Sequence, residues 1–481
     1  VWMTTGPWTL WLYWEGVMPA YIQLCSELLQ AFHPNAVLVV PETLSRYGID
    51  SAKLSHMHVA QRSDCIRTAL LHDFGGMWCD IDCIPLRTFE LLYRLAEKSS
   101  VGFASYDSTD DTIGYGFTAS LPRAPVIARQ HEQVMAVVNS GRAPRWLEVS
   151  TEPLTQIVRE VGRENMPLLP LYLTQPVVWH EQQRFSVRGS DEEHRKHLAG
   201  NPSAFCYMLS NQCMADDVKR LTRHELLTSD RFISFLFRES ASRARALRGN
   251  VLARGKAVMT LNLYGDGLRQ TLRDSQRAAA ERWGAEYVEI TRPMYSWPDA
   301  YWEKLNLDRH AQSYERVVFL DRDVMVRADC PSPFELVPAE SFGGICSEQE
   351  GHQLRENVEA KMEHLYRSVG VALDYEREYL NSGVLVFSPR EHGNVFDAAR
   401  YIHMLTHERS WEVYDQGCIS LALKFTQTPL HVLPPTFNRC GARLWYHWTP
   451  RMDDYVWHFC GSKNVTHMDN TLWREVGATG D

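Results

Sequence analysis

Short apolar runs alternate along this chain with stretches whose apolar residues recur at helical spacing, and the same order of parts occurs in both halves. The runs TLWLYW (9–14) and AVLVV (36–40) in the first half, and AVMTLNLY (257–264) and AEYVEI (285–290) in the second, read as strands separated by a helical segment. Helical patterns at 62–73 and 302–314 follow, and each precedes an Asp-x-Asp element. Alternating strands and helices predict an α/β fold with a mainly parallel sheet, whose ligands bind beyond the carboxyl ends of the strands. Both acidic elements fall at such an end.

Length turns this repetition into a domain expectation. At 481 residues, 44% of them apolar, the chain can bury two cores, because single cores stop growing at about 250 to 300 residues. The segment ESASRARALRGNVLARGKAV (239–258) is basic and rich in small residues, which predicts domains at 1–240 and 256–481 with a linker at 241–255. An Arg-rich helix ending at Gly249 is the alternative reading of that segment. A net charge of -9 supplies no basic excess for a nucleic-acid partner. Eleven cysteines, an odd number without a CxxC pair, fit a reducing compartment better than a disulfide framework. No apolar window reaches the roughly 18 residues of a membrane span, and the N-terminus lacks a signal-peptide pattern. The expectation is a cytoplasmic protein, free or peripheral to a membrane.

The candidate chemistry begins with VVFLDRDVMV (317–326), where a buried-type strand delivers Asp321 and Asp323 as it ends. In extended backbone, i and i+2 share a face, so both carboxylates point at one cation, and Mg²⁺ or Mn²⁺ takes such hard oxygen ligands. Downstream stand YLNSGVLVFSP (379–389), YDQGCISLAL (414–423), LPPTFN (433–438) and HFCGSK (458–463). His458 offers an imidazole as third metal ligand, Gly461 a close backbone approach to a diphosphate, and Lys463 a positive charge toward it. Asn381 carries both donor and acceptor, which suits sugar hydroxyls. In the first half, RSDCIRTALLHDFGGMWCDIDC (62–83) sets Asp64 and Arg67 on one helix face, ends the helix at Gly75-Gly76, and delivers Asp80 and Asp82.

Taken together, the five ordered motifs of the second half resemble glycosyltransferase family 8, the retaining group that includes glycogenin and bacterial lipopolysaccharide galactosyltransferases. The resemblance implies that Asp415 grips sugar hydroxyls and that Gln416 lies near the reacting carbon. The first half resembles the sugar-transferase region shared by capsular polysaccharide synthesis proteins, family 32 enzymes and the large clostridial glucosylating toxins. That resemblance implies that Asp64 binds sugar hydroxyls, Arg67 the sugar or diphosphate, Asp80 and Asp82 the metal, and Trp11 or Trp14 the nucleotide base; alternate aromatics of a core strand are the other reading of the two tryptophans. Where many capsular synthesis proteins carry His-x-x-Asn, this chain has Met208 to Asn211, and Met is a poor ligand for Mg²⁺ or Mn²⁺; His180 is a substitute candidate.

The two resemblances imply two tandem GT-A domains, Rossmann-like folds for nucleotide-diphospho-sugars, each moving a sugar from a UDP-sugar to a glycan or glycoconjugate with retention and with Mn²⁺ or Mg²⁺. Haloacid-dehalogenase-like phosphatases also open with a strand ending in Asp-x-Asp, but they place Thr or Val two residues after the second Asp, where Met325 and Ile84 stand here. A first domain that binds carbohydrate without catalysis is the second rival.

Overall fold

The computed structural model describes residues 8–201, 203–247, 254–263, 270–294, 300–346, 378–408, 414–440 and 454–459. Gly461 and Lys463 lie outside these residues. The chain divides into two compact units after Asn250. The basic segment is helical through Leu247 (Phe232–Leu247), and the next strand opens at Arg254, so 241–247 continues the first unit and 254–255 already belongs to the second unit's sheet.

The first unit contains β1 (Leu10–Tyr13), β2 (Ala36–Val39), β3 (Gly76–Cys79), β4 (Cys83–Pro85), β5 (Phe103–Asp107), β6 (Ile113–Ser120), β7 (Leu168–Leu169) and β8 (Cys206–Met208). Six of them form one sheet in the order β2-β1-β3-β6-β5-β7. β1 runs parallel to β2 and β3, β6 runs against both β3 and β5, and β7 is parallel to β5, so β6 alone is reversed. The remaining two, β4 and β8, pair antiparallel. The helix Val59–Phe74 leads into β3. It starts at His58, whose Nδ1 accepts from Ala60 N–H while Gln61 Oε1 accepts from His58 N–H, and it ends at Gly75 with φ +65°. Gly76 also has positive φ, and a Cβ there would come 2.4 Å from Thr9 O, so neither glycine tolerates a side chain.

The second unit contains β9 (Arg254–Leu261), β10 (Ala285–Ile290), β11 (Tyr314–Leu320), β12 (Val324–Val326), β13 (Phe342–Cys346), β14 (Leu380–Phe387), β15 (Leu430–Val432), β16 (Arg439–Cys440) and β17 (Val456–His458). Its main sheet has the order β10-β9-β11-β14-β13-β15, with β14 alone reversed. β12 pairs with β17, as β4 pairs with β8. Strand by strand, the two Rossmann-like sheets share one order and one set of directions. Residues 317–320 are fully buried because both faces of β11 are covered, with Val318 packing beside Val258 and Val386.

The helix expected at 302–314 is absent. A 3-10 turn (Ala300–Asn306) and a four-residue helix (Leu307–His310) occupy it, and Tyr314 already begins β11. The tighter turn points Glu303 and Lys304 inward, where each finds a partner; a regular surface helix would have left them in water. Among the described residues no helix is long and apolar enough to cross a membrane.

Candidate functional site

Reversal of β14 is what builds the second unit's site. Its amino-terminal part lies beside the carboxyl end of β11, so the N–H of Asp321 donates to Gly383 O at 2.8 Å as β11 ends. The tight connection that follows, with Val324 N–H bonding back to Asp321 O, turns the chain into β12 and presents Asp321 and Asp323 together. β17 then pairs with β12 so that His458 lies opposite Val324.

His458 Nε2 lies 3.5 Å from Asp321 Oδ2 and 3.3 Å from Asp323 Oδ1, and the ligand atoms of all three residues fall within 4.8 Å of one another. A chain of amides fixes which ring nitrogen faces the carboxylates. Asn438 Nδ2 donates to Asn381 Oδ1 at 2.8 Å, which turns Asn438 Oδ1 toward His458 Nδ1 at 2.9 Å to accept its proton. With Nδ1 turned to Asn438, Nε2 is the ring nitrogen that faces the two carboxylates, and a divalent cation at the centre would take the place of its proton. His458 packs on bare backbone, since a Cβ on Gly383 would meet its Cε1 at 2.2 Å. The residues therefore fit Mg²⁺ or Mn²⁺, with an oxygen, oxygen, nitrogen set that leaves positions open for phosphate oxygens. Removing the Asn438 amide (Asn438→Ala) is expected to weaken Mn²⁺ binding about 10- to 100-fold without unfolding the protein. Manganese titration by electron paramagnetic resonance reads this, and an affinity within threefold of wild type would refute the orienting role.

Lys304 is the residue that sequence reasoning missed. It is 6% exposed, and its Nζ donates to Asp321 Oδ2 at 2.7 Å and to Ser382 Oγ at 3.1 Å and lies 3.5 Å from Asp415 Oδ2. Burial opposes its charge, but the Asp321 and Asp415 carboxylates hold it above the usual lysine range. Burial also pushes Asp321 up, against the pull of Lys304 and His458. For Asp323 burial is outweighed by His458 and Lys304, and its carboxyl is held at about 2. Asp415 accepts from Ser382 Oγ–H at 2.6 Å, and Gln416 Nε2 donates to Tyr379 OH at 3.0 Å. Asn381 spends its carbonyl oxygen on Gly383 N–H and Asn438, so its first task here is to hold the loop and the histidine relay. Arg400, fully buried, forks onto Asp308 at 2.7 and 3.0 Å, reaches Asp397 at 2.6 Å and donates to Leu305 O, which pins the turn that carries Lys304.

The first unit brings Asp64, Arg67 and Asp80 together. Arg67 Nη1 lies 3.2 Å from Asp64 Oδ1 and Nη2 lies 2.6 Å from Asp80 Oδ1, while the guanidinium carbon lies 4.9 Å and 4.6 Å from the Trp78 and Tyr115 ring centroids. Asp80 Oδ1 also accepts from Trp78 Nε1–H at 2.7 Å, and Asp82 Oδ2 accepts from Asn211 N–H at 2.7 Å. Burial raises the Asp64 carboxyl to about 7 and Asp82 to about 6. Among the described residues no third His, Cys, Asp or Glu joins Asp80 and Asp82 within ligand distance. Trp11 is a core residue, 5% exposed, its Nε1–H donated to Gly75 O and its ring against Tyr47 and Phe74. That packing favours the core reading of Trp11 and leaves Trp14, half-buried just beyond the carboxyl end of β1, as the base-stacking candidate.

Residues 283–464 match the family model "Glycosyl transferase family 8", which makes this stretch a glycosyltransferase domain; the match does not reach the first unit. No curated protein matches the chain. Among solved structures, a glycosyltransferase involved in glycosylation of the major capsid of PBCV-1 is 13% identical, with 45% of this chain and 100% of that one covered and a TM-score of 0.32. The galactosyltransferase LgtC, in complex with donor and acceptor sugar analogues, is 16% identical over 47% of this chain and 92% of its own, with a TM-score of 0.28. Mouse xyloside xylosyltransferase 1 is 12% identical over 44% and 98%, with a TM-score of 0.29.

Proposed function

We propose that the chain transfers a sugar from a UDP-sugar to a hydroxyl of a glycan or glycoconjugate, with retention, and that the second unit does so with Mn²⁺ or Mg²⁺ held by Asp321, Asp323 and His458. The observation that carries this reading is the convergence of two carboxylates and an imidazole lone pair within 4.8 Å inside the family 8 match. The ion would neutralise charge on the diphosphate of the donor. Lys304 bridges Asp321 and Asp415 in a buried wall, and next to Asp415 on the helix Asp415–Thr426 the amide of Gln416 is held by Tyr379. As the bond from the anomeric carbon to the diphosphate breaks, a bond to the acceptor oxygen forms on the same face, and the acceptor proton passes to the departing phosphate. The test is a panel of nucleotide-sugars incubated with the whole chain, with and without Mn²⁺. UDP release that stops on chelation, and a product anomer matching the donor by NMR, are expected; an inverted anomer or no release from any donor overturns the reading.

We read the first unit as a second GT-A domain acting independently. The support is the shared strand order with one reversed strand, and the acidic pair at the same strand end. In this reading Trp14 stacks the base. In a chain whose second site is disabled by Asp321→Asn and Asp323→Asn, Trp14→Ala should weaken UDP binding by roughly 1 to 3 kcal/mol. Calorimetry on the folded variant decides this, and an unchanged affinity removes Trp14 from the site. What favours instead a first unit that binds carbohydrate without catalysis is that, among the described residues, no third ligand stands beside Asp80 and Asp82.

A further inference from the structure

The two sites correspond residue by residue. Asp80 N–H donates to Gly116 O at 2.8 Å, and Asp321 N–H donates to Gly383 O at the same distance. In the short strand that follows, Cys83 lies opposite Met208 across β4 and β8, as Val324 lies opposite His458 across β12 and β17. A Cβ on Gly116 would meet Met208 Cε at 2.6 Å, and a Cβ on Gly383 would meet His458 Cε1 at 2.2 Å. Met208 therefore stands where His458 stands. The same offset places Trp78 at the position of Phe319, two residues before the acidic pair.

These exchanges all act in one direction. A thioether is a soft donor with no affinity for Mg²⁺ or Mn²⁺, so the third ligand is lost. The Trp78 indole N–H, which Phe319 cannot supply, binds Asp80 Oδ1 together with Arg67, and Asn211 N–H takes an oxygen of Asp82. At least two of the four carboxylate oxygens are thus engaged by N–H groups, and among the described residues no other His, Cys, Asp or Glu replaces the imidazole. A buried cation is still present: Arg67 is 4% exposed and lies between Asp64 and Asp80, as Lys304 lies between Asp321 and Asp415. Its Nε–H is buried without a hydrogen-bond partner among the described residues, and so is Trp14 Nε1–H. An unmet buried donor on the guanidinium itself suits an anionic or hydroxyl-rich ligand.

We propose that the first unit binds a nucleoside diphosphate or its sugar ester without a divalent cation, with the Arg67 guanidinium supplying the positive charge. This rests on reading the unit as a nucleotide-sugar fold. Mn²⁺ titration of the wild-type chain, followed by electron paramagnetic resonance, should count one ion, and the Asp321→Asn, Asp323→Asn chain should bind none. In that variant UDP should bind one site with an affinity that differs less than tenfold between EDTA and Mn²⁺. Two ions in wild type, or an affinity raised more than tenfold by Mn²⁺, overturns the cation-free site while leaving the nucleotide fold in place. No UDP binding under either condition overturns the nucleotide reading, and this inference with it.

Discussion

Asp323→Asn should lower donor turnover by the second unit on the order of a thousandfold, since a metal bound at the diphosphate contributes several kcal/mol to the transition state and each 1.36 kcal/mol is tenfold. The amide retains one oxygen but loses the charge that His458 and Lys304 hold in place, with the carboxyl at about 2. The loss should persist at saturating Mn²⁺ and saturating donor, which separates damaged chemistry from weak binding. UDP release under those conditions is the measurement, and full turnover there would remove Asp323 from the reaction.

Arg400→Ala should destabilise the second unit by about 3 to 5 kcal/mol, because it removes a guanidinium that is 1% exposed from its ion pairs with Asp308 and Asp397. A surface ion pair would cost a fraction of this. The same change frees Leu305 O and loosens the turn that holds Lys304, so activity should fall even where the protein remains folded. Arg400→Lys keeps a charge but cannot fork onto Asp308, and should recover only part of the loss. Urea denaturation gives the stability term; a change below 1 kcal/mol would show that the pair is solvated.

Much of this architecture was legible. β1, β2 and β10 lie where their apolar runs predicted them, and Gly75-Gly76 ends a helix before an acidic pair as read. His458 was visible because its motif carries the residue types that a metal and a diphosphate require. Lys304 was not, because a lysine buried in a 3-10 turn is spelled with the same letters as one on a solvated helix, and only Asp321 and Asp415, distant in sequence, distinguish them. Ser382 carries no signal of its own in the sequence, yet it lies within β14 and bonds Asp415. Strand direction was equally hidden, since apolar alternation is the same read either way along the chain.

That reversed strand also sets an order of events for a chain emerging from the ribosome. β14 sits between β11 and β13 although it is synthesised after both, and the last part of the candidate metal site, His458, comes later still on β17. Until Leu380–Phe387 exists, β11 presents a bare hydrogen-bonding edge, the kind of surface on which nascent chains aggregate. Closing the sheet then requires joining segments far apart in sequence, a slow step by loop entropy. In the proposed reading, capacity to bind Mn²⁺ is therefore acquired only once β17 has been made, and a product terminated before His458 would remain inert toward the ion.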